Sequence, residues 1–272
     1  MPHSKTGTLK QRRYVSANGL NIYYEEYGSG RPLILLHGGT LTSSMWRPYL
    51  AAFASHFRVI TPDSRGHGRT DNPDGEFSYR AMAEDVVAFI QALELVRPLI
   101  FGYSDGGQAA LELGMHHPGL AGALVIGAAW YKFSKTYADW LKASGFEGPG
   151  MVNFRQIIRQ EPKLVDLWKE EHSWIDDPDY WQTLLIQIST MWWTPLDYSA
   201  GDFQEITEPT LVLLGDRDGL VELEQAVGIY RHIPKAELAI LPNGTHMNPN
   251  PKLLTQTVLD FLIRQTKPVN EA

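Results

Sequence analysis

The sequence contains no cysteine among its 272 residues, which excludes disulfides, thiolate metal sites and a cysteine nucleophile. The absence also fits a reducing compartment, and we expect a cytoplasmic protein. Positive charge is scarce, since 24 Lys and Arg stand against 31 Asp and Glu, for a net charge of −7. Nucleic-acid binding needs clustered Lys and Arg, so we expect no nucleic-acid partner.

Long hydrophobic runs are lacking too. The longest, residues 120–131, is about 12 residues long and contains two glycines, whereas a membrane span needs about 20 apolar residues. No apolar stretch follows the polar, basic N-terminal segment, so we expect no secretory signal. We therefore predict a soluble protein without a membrane partner.

Strand-like and helix-like stretches alternate along the chain. Segments 12–16 and 20–27 flank Ala17-Asn18-Gly19, and Asn-Gly is typical of a hairpin turn. Short apolar runs predict strands buried on both faces of a parallel sheet at 33–36, 57–61, 99–103, 123–127, 211–214 and 237–241. Helical periodicity occupies 79–95, 106–116 and 253–263, and residues 1–10 and 266–272 are predicted to be loose tails. The alternation indicates a doubly wound α/β fold that begins with an antiparallel hairpin.

One stretch of about 80 residues, between the runs at 123–127 and 211–214, has no obvious strand and cannot be a bare loop. We interpret residues 130–205 as a helical lid inserted into an α/β core formed by residues 1–129 and 206–272. Most of the tryptophans fall in this stretch: Trp130, Trp140, Trp168, Trp174, Trp181, Trp192 and Trp193.

The sharpest motif is Gly102-Tyr103-Ser104-Asp105-Gly106, directly after an apolar run. A nucleophile on a tight strand-to-helix turn needs small residues two positions before and two positions after it, and both are glycine here. Asp105 is a rival nucleophile, because some enzymes use a carboxylate on such a turn. That register would place the large Tyr103 at the crowded position, so we predict Ser104.

A serine hydroxyl needs a base, and the loop histidines are the candidates. His246 lies between the last predicted strand and the last helix, which makes it the best placed. His37 and His67 belong to other strand-end turns, and His116 and His117 end a helix. We predict His246.

The third member of a triad should orient the imidazole. Two acids follow the strand at 211–214. We favour Asp218, because Asp216 could instead form a local turn or pair with Arg217.

The negative oxygen of the intermediate needs two donors. We expect the backbone N–H of Asp105 and, from the loop His37-Gly38-Gly39-Thr40, that of Gly39.

The chain resembles the α/β-hydrolase family over roughly residues 12–265. The resemblance rests on five motifs in order: His37-Gly38-Gly39, Asp63-Ser-Arg-Gly-His-Gly, Gly102-Tyr-Ser-Asp-Gly-Gly, Gly215-Asp-Arg-Asp218 and Gly244-Thr-His246. It implies a mostly parallel eight-stranded sheet flanked by helices, with the lid after strand six. It also implies Ser104 as nucleophile, Asp218 as acid, His246 as base, Gly39 and Asp105 as oxyanion donors, and no metal or organic cofactor.

One residue departs from many esterase-like members, which carry Met or Leu where this chain has Asp105. Its carboxylate suits a helix N-terminus, but a negative charge beside the oxyanion hole opposes the transition state unless it points away. We predict that Asp105 turns toward solvent or toward a cation such as Arg65.

The expected reaction is hydrolysis of a small apolar or aromatic carboxylic ester or lactone through an acyl-enzyme. The aromatic lid predicts an apolar pocket, with Trp130, Tyr131, Trp192 and Trp193 as substrate contacts. Most of the aromatic residues of the lid are expected simply to pack the lid onto the core, and exposed ones offer a homodimer surface.

The same triad serves carbon–carbon bond hydrolases, amidases, perhydrolases and hydroxynitrile lyases, and a slow-turnover ligand receptor is a further alternative. Dehalogenase and epoxide hydrolase chemistry is disfavoured, because the turn carries serine and not aspartate.

Overall fold

The computed structural model describes residues 8–175 and 177–266. Its strands are β1 (Leu9–Ala17), β2 (Leu20–Gly28), β3 (Pro32–Leu36), β4 (Arg58–Pro62), β5 (Leu99–Tyr103), β6 (Ala123–Gly127), β7 (Phe146–Gly148), β8 (Met151–Val152), β9 (Thr210–Gly215) and β10 (Ala236–Leu241). Its helices are α1 (Leu50–Ala54), α2 (Tyr79–Ala92), α3 (Asp105–His116), α4 (Lys135–Ala143), α5 (Phe154–Gln160), α6 (Pro162–Glu171), α7 (Tyr180–Trp192), α8 (Ala200–Gln204), α9 (Leu223–His232) and α10 (Pro251–Arg264).

The chain opens with the predicted antiparallel hairpin, in which Ala17 pairs with Leu20. Asn18 and Gly19 have φ values of 50° and 74°, the left-handed geometry of a two-residue hairpin turn. The predicted N-terminal tail, residues 1–10, was too long, because β1 already begins at Leu9. Residues 1–7 of that tail, and 267–272 of the C-terminal one, lie outside the described residues.

Eight strands form one sheet in the order β1-β2-β4-β3-β5-β6-β9-β10. The pairs β1–β2 and β2–β4 are antiparallel, and the others are parallel. Every residue of β5 and β6 is buried, as the continuous apolar runs predicted for strands covered by helices on both faces. The mostly parallel eight-stranded sheet expected from the sequence is confirmed.

Helices α4 to α8 lie between β6 and β9, so the helical insertion after the sixth strand is confirmed. It also contains the antiparallel hairpin β7–β8, which the sequence did not reveal because strands of three and two residues are too short to show a period. The exact division of the chain at residues 130 and 205 stays a prediction. None of the helices in the described part of the chain is long and apolar enough to cross a bilayer.

Ser104, Asp218, His246 and Gly39 all follow the carboxyl ends of sheet strands, after β5, β9, β10 and β3. Parallel strands bring these ends to one edge of the sheet, where ligands bind in open α/β sheets. The fold therefore gathers the predicted site residues in one place.

Candidate active site

Ser104 stands on a strained turn between β5 and α3. Its φ of 56° and ψ of −119° are unusual for a residue with a side chain. A Cβ added to Gly102 would lie 1.9 Å from the carbonyl oxygen of Gly106, and one added to Gly106 would lie 2.3 Å from that of Leu36. The backbone thus leaves no room for a side chain at either position, as expected from the two glycines that flank Ser104 in the motif.

A chain of hydrogen bonds links Ser104, His246 and Asp218. The Ser104 hydroxyl donates to Nε2 of His246 over 3.0 Å, and Nδ1–H of His246 donates to Oδ2 of Asp218 over 2.8 Å. A carboxylate only accepts, so it holds the proton on Nδ1 and leaves Nε2 as an acceptor facing the serine. In this geometry the imidazole is ready to take the serine proton.

Asp218 is the acid that the structure brings to His246. Its side chain has no exposed surface, and its Oδ1 accepts hydrogen bonds from the N–H groups of Leu220 and Val221, each 2.9 Å long. Asp216 instead lies 3.8 Å from Arg217, in the alternative role that the sequence left open for it. The two backbone donors fix the Asp218 carboxylate, which in turn fixes the ring of His246.

Tyr103 also positions His246, a role that the sequence did not reveal. Its hydroxyl donates to the backbone carbonyl of His246 over 2.9 Å. Burial and the nearby charge of Asp218 raise the pKa of Tyr103, so the hydroxyl stays protonated and remains a donor. Because the partner atom is 143 residues away in the chain, no local pattern could signal this contact.

His37 and His67 were candidate bases in the sequence, but in the structure both rings form hydrogen bonds with the backbone of the loop after β3. Nδ1–H of His37 donates to the carbonyl of Gly38 over 2.8 Å, and Nε2 of His67 accepts the N–H of Thr40 over 3.2 Å. Burial lowers the pKa of His37 to about 4 and lowers that of His67 as well, so both rings are neutral at pH 7. The two rings fix the peptide units on either side of Gly39.

The remaining histidine candidates lie elsewhere. His116 pairs with Glu112 over 3.2 Å and His117 with Glu84 over 3.0 Å, at the end of α3. Neither of these rings is part of the hydrogen-bond chain at Ser104.

The residues of the two expected oxyanion donors are in contact through the side chain of Asp105. A Cβ added to Gly39 would lie 2.2 Å from Oδ2 of Asp105, so the loop packs directly on the first residue of α3. Within residues 8–175 and 177–266, the N–H groups of Gly39 and Asp105 donate to no protein acceptor. Orphan N–H groups beside a nucleophile are the donors that an oxyanion requires.

The prediction that Asp105 faces solvent or Arg65 is wrong. Asp105 is 1% exposed; its Oδ1 accepts the hydroxyl of Tyr79 over 3.0 Å and its Oδ2 accepts the indole N–H of Trp192 over 2.9 Å. Arg65 is engaged by Asp85, over 2.6 and 2.7 Å. Burial raises the pKa of Asp105 to about 6, and the two hydrogen bonds act in the opposite direction. Hydrogen-bond donors from α2 and α7, both distant in sequence, stabilise the carboxylate in its buried position.

Two of the four predicted aromatic contacts lie near Asp105. Trp192 donates to its carboxylate, and the ring of Trp130 lies 5.9 Å from that of Tyr79. The other two pack elsewhere. Tyr131 lies 6.0 Å from the ring of Phe203 and touches the backbone of α9. Trp193 lies 5.8 Å from Phe133, and its indole donates to a carbonyl of β7.

The chain is similar in sequence and in fold to known proteins. The 2-hydroxy-6-oxo-6-(2'-aminophenyl)hexa-2,4-dienoic acid hydrolase of Metapseudomonas resinovorans is 27% identical over 96% of this chain and 94% of that protein. The pimeloyl-(acyl-carrier protein) methyl ester esterase of Nitrosospira multiformis is 26% identical, over 84% of this chain and 92% of that protein. A meta-cleavage product hydrolase structure from Pseudomonas fluorescens superposes with a TM-score of 0.76 at 21% identity, covering 93% of this chain and 97% of that one.

The similarity to one family covers most of the chain. The matched region includes the turn that carries Ser104 and the insertion after β6. The profile described as "Alpha/beta hydrolase family" matches residues 33–252, and the chain belongs to that family.

Proposed function

We propose that this protein is a serine hydrolase that cleaves a small apolar or aromatic carboxylic ester or lactone through an acyl-enzyme intermediate. The observation that carries the proposal is the hydrogen-bond chain from Asp218 through His246 to Ser104, which stands on a strained turn at the end of β5. In this proposal Ser104 is the nucleophile, His246 the base and Asp218 the orienting acid.

The reaction proceeds in two halves. Nε2 of His246 takes the hydroxyl proton as Oγ of Ser104 attacks the substrate carbonyl carbon, and the imidazolium then gives that proton to the leaving alkoxide. Water next attacks the acyl-enzyme while His246 takes its proton, and collapse of the second tetrahedral intermediate returns a proton to Oγ of Ser104. For a lactone, the leaving alkoxide stays tethered to the acyl group. Asp218 keeps its charge throughout and stabilises the imidazolium.

The N–H groups of Gly39 and Asp105 are the proposed oxyanion donors. Gly39 contacts the side chain of Asp105, Asp105 directly follows Ser104 in the chain, and neither N–H group has a protein acceptor within the described residues. Removing one such donor from a hydrolase costs about 100- to 1,000-fold in kcat. His37 and His67 support the hole by fixing the loop around Gly39.

The apolar surroundings support an apolar acyl or alcohol group. Trp130, Trp192 and Tyr79 surround the Asp105 end of the site, where α7 of the insertion meets α3. Aromatic side chains of this kind line small-molecule pockets. We propose that the insertion is a lid that sets substrate size.

Hydrolysis of a carbon–carbon bond is the second candidate, because the relative from Metapseudomonas resinovorans is named for a dienoic acid substrate. The same three side chains serve either reaction, so the triad geometry does not separate them. The substrate preference separates the two reactions, since a carbon–carbon hydrolase releases a carbon leaving group and needs a ketone substrate.

The test is steady-state hydrolysis of p-nitrophenyl esters with acyl chains of two to ten carbons, by wild type, Ser104→Ala and Ser55→Ala. Ser55 is an exposed serine at the end of α1 and serves as the matched control. We expect Ser104→Ala to lose turnover on the order of a million-fold and Ser55→Ala to retain it. Folded wild type without ester turnover, but with cleavage of a dienoate ketone, would favour the second candidate. Binding without turnover of either substrate would indicate a receptor.

A further inference from the structure

Asp105 carries a buried carboxylate that the proposed reaction does not use, since only its backbone N–H takes part. The side chain is 1% exposed and accepts hydrogen bonds from Tyr79 on α2 and Trp192 on α7. Within the described residues it forms no ion pair with Lys or Arg. Burying a charge without a countercharge is costly, so its position beside the nucleophile calls for an explanation.

The carboxylate lies directly beside one of the two residues proposed to hold the oxyanion. A Cβ added to Gly39 would meet its Oδ2 at 2.2 Å, so the carboxylate touches the residue that offers one oxyanion donor. A carbonyl oxygen bound at that donor brings the first carbons of the acyl chain to within about 6 Å of the charge, a distance at which unscreened charges interact strongly. The rings of Tyr79, Trp130 and Trp192 exclude water around it.

We propose that Asp105 is a specificity-determining residue that repels acyl groups bearing a negative charge, so that this chain hydrolyses esters with uncharged acyl groups and discriminates against anionic ones. This inference rests on the proposed function.

The hydrogen bonds favour the ionised form of Asp105 at alkaline pH. Both carboxylate oxygens accept from donors, which stabilises the anion, whereas burial raises the pKa to about 6. The titratable groups that face it are Tyr79 from α2, Tyr137 from α4 and His246 from the loop after β10, while α7 contributes the neutral Trp192. At pH 8 the carboxyl is therefore charged, and at pH 5 it is largely protonated.

The experiment compares two p-nitrophenyl esters of matched size: the neutral 4-(methylsulfonyl)butanoate and the anionic 4-sulfobutanoate, whose sulfonate does not titrate between pH 5 and 8. The readout is the ratio of their kcat/KM values. Both substrates use the same triad, so the ionisation of His246 cancels in the ratio. The sulfonate sits on the fourth acyl carbon, a few ångströms beyond the first carbons. Two like charges about 9 Å apart at an effective dielectric constant of about 20 correspond to a preference of about 20-fold for the neutral ester.

We expect wild type to show this preference at pH 8 and to lose most of it at pH 5. Asp105→Asn should reduce the ratio to about fivefold or less at pH 8. Trp192→Phe is the matched control, because it removes a hydrogen bond to the same carboxylate and keeps the charge. It should retain the wild-type ratio even if both rates fall.

A ratio near one for wild type at pH 8, or an unchanged ratio in Asp105→Asn, would overturn the inference. The pH series on wild type gives an answer even if Asp105→Asn does not fold. Turnover of the neutral ester that is insensitive to Ser104→Ala, or no turnover by wild type, would refute the proposed function and this inference with it. Ser104-dependent turnover without a charge preference would refute the inference alone.

Discussion

Replacing Asp218 by asparagine should invert the proton arrangement of the triad without disturbing the fold. In the wild-type protein Oδ1 of Asp218 accepts two backbone N–H groups, at 2.9 Å each, and Oδ2 accepts Nδ1–H of His246. An asparagine must keep its amide oxygen at the two backbone donors, because an NH2 group there would face both of them. Its NH2 then points at His246 and makes Nδ1 an acceptor.

The imidazole proton then has to reside on Nε2, which faces the Ser104 hydroxyl at 3.0 Å. A protonated Nε2 cannot accept the serine proton, so the base is lost although all three side chains remain in place. We expect kcat to fall by about 10,000-fold, the scale of a misassigned tautomer in a serine triad. That fall corresponds to about 5.5 kcal/mol in the barrier.

The assay is kcat for p-nitrophenyl butanoate, measured with Asp216→Asn as the matched control. Asp216 is two residues away, lies outside the hydrogen-bond chain, and pairs loosely with Arg217. The control should keep at least half of the wild-type rate, and both variants should unfold within a few degrees of wild type. An Asp218→Asn protein with more than a tenth of wild-type activity, or an equal loss in the control, would refute the assignment of the acid.

Three further predictions concern stability and support of the site. Gly102→Ala places a methyl group 1.9 Å from backbone, so it should lower the free energy of unfolding by about 3 kcal/mol or more in urea titrations, whereas Gly201→Ala in α8 meets only a hydroxyl at 3.5 Å and should be neutral or stabilising. Asp105 has a folded pKa of about 6, above its ordinary value of 3.8, so its ionisation destabilises the fold at alkaline pH and this cost vanishes as the pH falls. The free energy of unfolding of Asp105→Asn minus that of wild type should therefore be more positive at pH 8 than at pH 5. An equal difference at both pH values would contradict the burial argument. Tyr103→Phe removes the hydrogen bond to the His246 carbonyl and should lower kcat about fivefold with little change in KM; an unchanged kcat would show that the loop holds itself.

Much of the fold could be predicted because its signals are local. The apolar runs at 99–103 and 123–127 coincide with β5 and β6, since a strand buried on both faces must be apolar at every position. The Asn18-Gly19 turn was recognisable because few residue pairs accept two positive φ values. The hairpin β7–β8 escaped prediction because a few residues contain too little periodicity.

The candidate triad could also be proposed from local patterns. Glycines on both sides of Ser104 report a crowded turn, and the positions of Asp218 and His246 after successive strands follow from the order of strands in the chain. The roles of His37 and His67 were open, because a histidine after a strand suits either a base or a buried acceptor. The packing of the loops decided that each ring accepts a backbone N–H, His37 from Ser64 and His67 from Thr40.

The sequence by itself determined the sheet, the strained turn and the set of side chains that follow the strand ends, because periodicity, small residues and strand order act over short stretches of chain. Only the tertiary structure decided what surrounds them. The carboxylate of Asp105 is buried and not exposed because Tyr79, 26 residues away, and Trp192, 87 residues away, both donate to it. Hydrogen bonding and desolvation depend on which groups meet in space, and those meetings are set by the packing of the whole chain.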